Sequence, residues 1–366
     1  MISPNCFTND WISAKKDEIG AVDPGILEKS IHALALLDHL AGSGLDFVFK
    51  GGTSLLLHLS PIRRLSIDID IVCGLPKNEF ENVLAEISKL SPFNGFQEDE
   101  RDHRRLPKRR HYRFFYTPIE RGHPAPHVLL DVVEDAECNL PTIKKPITTN
   151  FLEIEEEVQV TIPTVEGLLA DKLTAFAPNT IGVPIRSKKG GSQAMQVIKQ
   201  LFDVGELFNA ATNFSKVREA YNAAYEKEIS YRDKKPDKEK VLNDTIATSF
   251  GLCGSGLRGF HKNNDIDLLK RGVQALANHL VGGAFRINTE AKVAAAKVGC
   301  IANLLKTDRI ITGFSDIHFD QTNIEELKGV ELIGEFSKLT RLKKGNPEAF
   351  YYWYKMQQLC GDFSNI

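Results

Sequence analysis

What this chain has little of already narrows its class. No stretch reaches the roughly 18 to 20 uninterrupted apolar residues that a membrane-spanning helix needs, so no membrane association is expected. The opening MISPNCFTNDWISAKKDE lacks the apolar core of a signal peptide, and a cytoplasmic location is the expectation. The six cysteines, Cys6, Cys73, Cys138, Cys253, Cys300 and Cys360, include no CxxC pair. That argues against a zinc site and against a dense disulfide framework, and they read as reduced, mostly buried thiols. Net charge is scarce as well: a formal -2 argues against a protein that coats nucleic acid without specificity. No internal repeat is present.

What is there is ordinary for a globular protein, with 42% hydrophobic and 26% charged residues. At 366 residues the chain exceeds the size at which single cores stop growing, about 250 to 300 residues, so two lobes are expected. The weak average charge conceals one patch. Between Arg101 and Arg113 the run RDHRRLPKRRHYR holds seven Lys or Arg residues against Asp102 alone.

The chain divides near residue 163. Before it, Asp23 and Pro24 start an amphipathic helix through Leu27, Ile31, Leu34 and Leu37 that ends at Gly42-Ser43-Gly44. Asp46 to Lys50 reads as a strand, Gly51-Gly52 as a break, and Thr53 to Leu59 as a helix opening on a threonine cap. Ser66 to Cys73 reads as a strand, and Phe80, Val83, Leu84 and Ile87 mark a second sheet-covering helix. His111 to Thr117 and Val128 to Glu134 complete a small mixed sheet with flanking helices. From residue 164 onward the period is helical, with helices expected at 165–176, 194–211, 238–250, 265–280, 289–305, 324–339 and 347–359. The fold class is therefore α+β, with a mixed-sheet domain over 1–163 and an all-helical lobe over 164–366.

In Ser66-Ile67-Asp68-Ile69-Asp70-Ile71 polar and apolar residues alternate, so an extended strand points the isoleucines one way and Ser66, Asp68 and Asp70 the other. The two aspartates would sit roughly 6.5 to 7 Å apart at Cα. Unpaired carboxylates at that spacing repel, and a shared hard cation removes the repulsion; Mg²⁺, which takes oxygen ligands and substrate phosphates, fits. Two such ions can activate an attacking hydroxyl and stabilise a leaving oxygen. A solvated edge strand is the plain alternative. The turn Gly51-Gly52-Thr53-Ser54 lets backbone N–H groups approach a phosphate at a helix start, although it is no Walker A loop.

Taken together, strand, Gly-Gly-Thr-Ser, helix, Arg64, Ser66 and Asp68-Ile69-Asp70 resemble the nucleotidyltransferase toxins of the AbiEii/AbiGii family, within the DNA polymerase β-like superfamily. KGGTSLxxH…RxSxDID is the more specific match; 14 residues separate Thr53 from Asp68. In the second lobe LADKLTA resembles the family's AdKLxA segment, and KQLFDV its KDlyDl segment, with Gln200 where many members carry an acid and Asp203 at the matching acid. The match covers roughly residues 45 to 208.

The resemblance implies a polymerase β-like sheet and a magnesium-dependent nucleotidyltransferase, with one or two ions held by Asp68, Asp70 and a third acid. Asp131 is the candidate for that acid, because an ionised carboxylate in the apolar strand VLLDVVED needs a partner or a metal; Glu134 and Asp135 stay open. Gly51, Gly52, Thr53, Ser54, Arg64 and Ser66 are the nucleotide-binding candidates. Ser66 is also a candidate to receive a phosphoryl group that blocks the site. The resemblance gives Lys172 the nucleotide phosphates, against a plain reading as a snorkelling lysine or a partner of Asp171, and gives Asp203 the task of orienting Lys172 or the nucleotide. The site is expected in the cleft between lobes.

A family member of this kind is expected to be the toxin of a two-gene toxin-antitoxin or abortive-infection phage-defence module, with an antitoxin partner. It would move a nucleotide from an NTP, GTP or a pyrimidine nucleotide, to an RNA acceptor such as tRNA. Arg104, Arg105, Lys108, Arg109 and Arg110 are candidate RNA-backbone contacts, or else a solvated basic loop. Arg186, Lys188 and Lys189 could extend that surface, and the aromatic run Phe350 to Tyr354 reads as core packing. The other readings are nucleotidylation of a small molecule or a protein hydroxyl, and a binding regulator without chemistry.

Overall fold

The computed structural model describes the whole chain except residues 21, 101–106, 120–125, 136, 261–262, 308, 310, 312 and 361–366, and of residue 323 the backbone alone. The chain separates into two compact units. One comprises Met1–Thr164 together with Asn278–Gly283, the other Val165–Ala277 together with Ala284–Ile366.

The first unit carries α1 (Asn9–Ile19), α2 (Pro24–Gly42), β1 (Val48–Lys50), β2 (Asp68–Val72), α3 (Lys77–Ile87), β3 (Phe93–Glu98), β4 (Arg109–Tyr116), β5 (His127–Val133), β6 (Thr142–Pro146) and β7 (Gln159–Pro163). Five strands form a sheet in the order β1-β2-β5-β4-β3, and β6 and β7 form a separate hairpin. β2 runs parallel to β5, while the other neighbours are antiparallel. The sheet is thus mixed, and its middle strands carry the acids.

Alternation decides which face of each strand is buried. Ile69 and Ile71 of β2, Val128, Leu130 and Val132 of β5, and Tyr112 and Phe114 of β4 are fully buried. Leu27, Ile31, Leu34 and Leu37 of α2 and Phe80 and Leu84 of α3 join them in one core. Each such side chain contributes roughly 1.5 to 3 kcal/mol relative to exposure. The start of α2 follows the sequence reading: Asp23 accepts from the Ile26 N–H, and Pro24 takes the first turn.

Several local expectations change. Thr53 to Leu59 is a single 3₁₀ segment, Thr53–Leu57, and no side chain caps it. β2 begins at Asp68 instead of Ser66, and Ile67 before it is half-exposed. Strand β3 was not expected: FNGFQE is polar, contains Gly95, and its pairing with β4 slips at that glycine. Nor were α1, β6 and β7 expected; in β6, TIKKP, the first three residues are exposed and a proline ends the strand.

The second unit is helical, with α4 (Val165–Ala175), α5 (Ala194–Ala210), α6 (Phe214–Ser230), α7 (Lys238–Gly254), α8 (Asn264–Ala275), α9 (Glu290–Lys306), the one-turn α10 (Asn323–Glu326) and α11 (Leu342–Gly345), and α12 (Pro347–Cys360). α6 escaped the sequence reading although Asn213 caps it and Phe214, Val217, Ala220, Tyr221 and Ala224 are its buried stripe. The helix expected over 324–339 is broken, because Gly329 and Gly334 adopt φ of 78° and 57°. Phe350 to Trp353 are buried, and Trp353 stacks on Phe336 with centroids 5.0 Å apart. None of the described helices is long and apolar enough to cross a membrane. The six cysteines are free thiols, four of them buried.

Candidate active site

Asp68 and Asp70 are two residues apart on β2, both half-buried, on the sheet face opposite Ile69 and Ile71. Strand register extends this pair into a row. Lys50 of β1 lies opposite Asp70, Asp70 is level with Asp131 of β5, and Asp131 is opposite His111 of β4. Register partners project from the same face, so a cation, two acids and an imidazole share one level of the sheet. Adjacent strands lie about 4.8 Å apart, which brings Asp131 to the first two acids. Of the three acids left open for the third position, Asp131 is the one in this row. Glu134 lies beyond β5, 3.1 Å from the Arg110 guanidinium, and Asp135 accepts from the Glu137 N–H.

The glycine turn joins the acids to a basic corner. Gly51 has φ 80°, and a Cβ built on it would stand 2.1 Å from Asp70 Oδ2. A Cβ at Gly52 would stand 2.8 Å from Arg64 Nη2 and 3.1 Å from Ser66 Oγ. The Asp70 carboxylate therefore closes over one glycine, and a guanidinium and a hydroxyl close over the next. Arg64 is buried, and its Nη1 donates to the Leu65 carbonyl at 3.1 Å. Its segment is held from far along the chain, because Leu65 N–H donates to His279 O at 2.7 Å and Val281 N–H to Arg63 O at 2.9 Å.

The Thr53 and Ser54 hydroxyls turn into the protein. Both are fully buried; the Thr53 hydroxyl donates to the Asp68 carbonyl and the Ser54 hydroxyl to the Gly51 carbonyl at 2.8 Å. They lock the turn onto β2. Replacing Gly51 by alanine is expected to lower stability by about 1 to 2 kcal/mol from the left-handed backbone alone, with more from the Asp70 contact. Gly44→Ala is the control, since Gly44 has φ 79° but open space around it. Urea unfolding of the two variants should therefore differ; equal losses would mean that Asp70 simply swings aside.

Among the described residues no three His, Cys, Asp or Glu side chains converge into a ready-made metal cage. The all-oxygen set of Asp68, Asp70 and Asp131 still fits a hard cation that completes its shell with substrate oxygens and water, as Mg²⁺ does.

In the helical unit Lys172 is buried in the last turn of α4, and its Nζ lies 3.2 Å from Asp203 Oδ2 on α5, itself almost fully buried. That burial is incompatible with a snorkelling surface lysine. A buried ammonium and carboxylate must compensate one another, so the two segments singled out in the sequence meet here for a physical reason.

One residue of the expected basic surface faces inward. Arg104 and Arg105 lie outside the described residues. Arg110 is buried, donating to the Leu75 carbonyl at 2.9 Å and stacking over Phe80, so it serves the core and not a ligand. Lys108 and Arg109 are exposed. The aromatics Tyr112 and Phe114 are core residues. Lys188 and Lys189 are exposed, while Arg186 pairs with Asp265.

Sequence reasoning missed three neighbours of the acids: Lys50, His111 and Lys29. Lys29 sits on α2 beside Ser30, whose hydroxyl donates to the Ser66 carbonyl at 2.9 Å. Burial holds the Lys29 ammonium below the ordinary lysine value, while the Asp68 carboxylate draws it back up. A lysine on an amphipathic helix and a histidine inside an aromatic strand carry no local signal; only pairing between strands shows them.

Residues 35–282 match a family model described as nucleotidyl transferase AbiEii toxin, type IV toxin-antitoxin system. Among solved structures the chain is similar to MenT4, a nucleotidyltransferase toxin from Mycobacterium tuberculosis H37Rv, at 13% identity and a TM-score of 0.50, covering 94% of this chain and 98% of that one. It is also similar to JHP933 from Helicobacter pylori, at 14% identity and a TM-score of 0.43, covering 79% and 94%. No curated protein sequence matches it.

Proposed function

The chain belongs to the AbiEii nucleotidyltransferase toxin family of type IV toxin-antitoxin systems, and from that premise we propose that it transfers a nucleotide from an NTP to an RNA acceptor, tRNA being the leading candidate, with Mg²⁺ as the cofactor. The observation that carries this reading is the three-acid face of β2 and β5 set against a glycine turn backed by Arg64 and Ser66. Such an arrangement has an anionic side for cations and a cationic corner for phosphate, which a polyphosphate substrate with bound metal requires.

In this mechanism Asp68, Asp70 and Asp131 would hold Mg²⁺, which supplies charge neutralisation on the phosphates and a more acidic attacking hydroxyl. The acceptor hydroxyl oxygen bonds to the α-phosphorus as the bond from that phosphorus to pyrophosphate breaks. Asp131 takes the hydroxyl proton. Gly52 N–H, Arg64 and the Ser66 hydroxyl bind the departing phosphates through charge-assisted hydrogen bonds. Lys172 is assigned the nucleotide phosphates and Asp203 its orientation, on the strength of their buried pair and of the family segments they occupy. Exposed Lys108 and Arg109 at the head of β4 favour RNA over a small molecule as acceptor.

Labelled NTPs incubated with Mg²⁺ and separate pools of total RNA, protein and small metabolites test the reading. Label is expected on RNA, and Asp68→Ala is expected to remove it. Label on protein alone would overturn the RNA acceptor, and equal labelling by Asp68→Ala would overturn the site.

A further inference from the structure

Three features near the acids invite explanation: Lys29 beside Asp68, Lys50 opposite Asp70, and His111 opposite Asp131. The last is the most sharply defined. His111 and Asp131 are direct register partners in the antiparallel β4–β5 pair, and Nδ1 of the imidazole lies 2.5 Å from Oδ1 of the carboxylate. Both side chains are short and spring from facing positions, so neither has much freedom to leave the contact. The His111 side chain is largely buried, at 10% exposed, whereas the Asp131 side chain keeps 26% of its surface open.

An ionised carboxylate can only accept, so in this contact Nδ1 carries the hydrogen and donates it. One oxygen of Asp131 is then committed. The other, Oδ2, has no hydrogen-bond partner among the described residues. On the opposite side of Asp131 stands Asp70, level with it on β2. The carboxylate is thus gripped from the β4 side and open toward the acids it is proposed to work with. A carboxylate that must ligate a cation or take a proton gains from such a grip, because rotation about its terminal bond would otherwise spread its oxygens over many positions.

We propose that His111 is the positioning residue of this site, holding Asp131 through the Nδ1–Oδ1 hydrogen bond so that Oδ2 faces the metal and the attacking hydroxyl. The inference rests on the nucleotidyltransferase reading of the three acids and adds to it a fourth residue, from a strand that carries none of the acids. His111 touches neither substrate nor metal in this account. Its effect on the chemistry passes through Asp131.

The test is a cycle of His111→Phe, His111→Asn, Asp131→Asn and the His111→Phe/Asp131→Asn double variant. Each is followed by transfer kinetics and by calorimetry of Mn²⁺ binding to the protein without nucleotide. His111→Phe keeps ring volume and removes the donor; it is expected to lower kcat and Mn²⁺ affinity by about 10- to 100-fold, with KM for the NTP changed by less than about threefold. His111→Asn, whose amide nitrogen stands where Nδ1 stands, should recover to within about fivefold of the unmutated protein. The double variant should match Asp131→Asn within about twofold, because the carboxylate that His111 positions is already gone there.

His111→Phe at wild-type kcat and Mn²⁺ affinity, additive losses in the double variant, or His111→Asn as poor as His111→Phe would each overturn the proposal. Should His111→Phe not fold, His111→Asn is compared with His111→Gln, whose amide reaches the Nε2 position instead; equal behaviour of those two would also overturn it. Absence of transfer to any acceptor would sink the functional reading but not this one, which Mn²⁺ calorimetry then decides. A protein that neither transfers nor binds Mn²⁺ has no metal site to position, and the inference falls with it.

Discussion

Asp70→Asn is expected to yield a folded protein in which nucleotide transfer has fallen by about a thousandfold or more, equivalent to roughly 4 kcal/mol of lost transition-state stabilisation. Asp70 adjoins three parts of the site. It follows Asp68 on the same face of β2, is level with Asp131 on β5, and lies over Gly51. The amide is nearly isosteric, so the turn keeps its neighbour, but it carries no negative charge for a cation. The fold should therefore survive, with a melting temperature within about 3 °C of the parent, since a change of 1 kcal/mol shifts a domain of this size by about 2 to 4 °C. Mg²⁺ with NTP should raise the melting temperature of the parent and leave that of Asp70→Asn unchanged, because only binding to the native state stabilises it. Retention of more than about a tenth of the transfer rate, a barrier change under roughly 1.4 kcal/mol, would remove Asp70 from the chemistry.

The second large effect concerns stability. Asp203→Ala leaves the Lys172 ammonium buried without its partner, and Lys172→Met strands the carboxylate; each is expected to lower stability by roughly 3 to 5 kcal/mol. In a unit of this size that corresponds to a melting temperature lower by on the order of 10 °C. Lys172→Met combined with Asp203→Leu should recover most of the loss, because an apolar pair of similar volume needs no desolvation of charge. Transfer activity, in contrast, should stay low in all three variants. Denaturant unfolding and labelled-NTP transfer on the same preparations separate the two roles. A double variant as unstable as the single ones would show that packing, and not charge compensation, is what the pair provides. A double variant with parental activity would show that Lys172 takes no part in the reaction.

These residues differ in how much of their role was visible in the primary structure. The i, i+2 spacing of Asp68 and Asp70 sets their shared face wherever the segment is extended, and β2 is extended across both. Ser66 was projected onto the same strand, but β2 starts two residues later, and Ser66 meets Gly52 from a loop instead. The phosphate cradle read at Gly51 to Ser54 rests on backbone N–H groups; the Thr53 and Ser54 hydroxyls themselves go to backbone carbonyls of the turn and of β2. A residue type states what a side chain can bond to, and its surroundings determine which bond forms.

The amino-acid order by itself determined the acid pair, the glycine turn, most of the long helices and the kinship that links LADKLTA and KQLFDV to the first motif, because those depend on spacing within short windows. Tertiary structure alone decided the rest. The parallel pairing of β2 with β5 made Asp131 the third acid of the row, the antiparallel pairing of β4 set His111 against it, and the crossing of α4 and α5 closed Lys172 onto Asp203. Residues 278–283, more than two hundred positions away, hold the segment that carries Arg64. Such contacts are set by register between elements distant in the chain, where a shift of one residue would turn every side chain to the other face, and no local pattern encodes that choice.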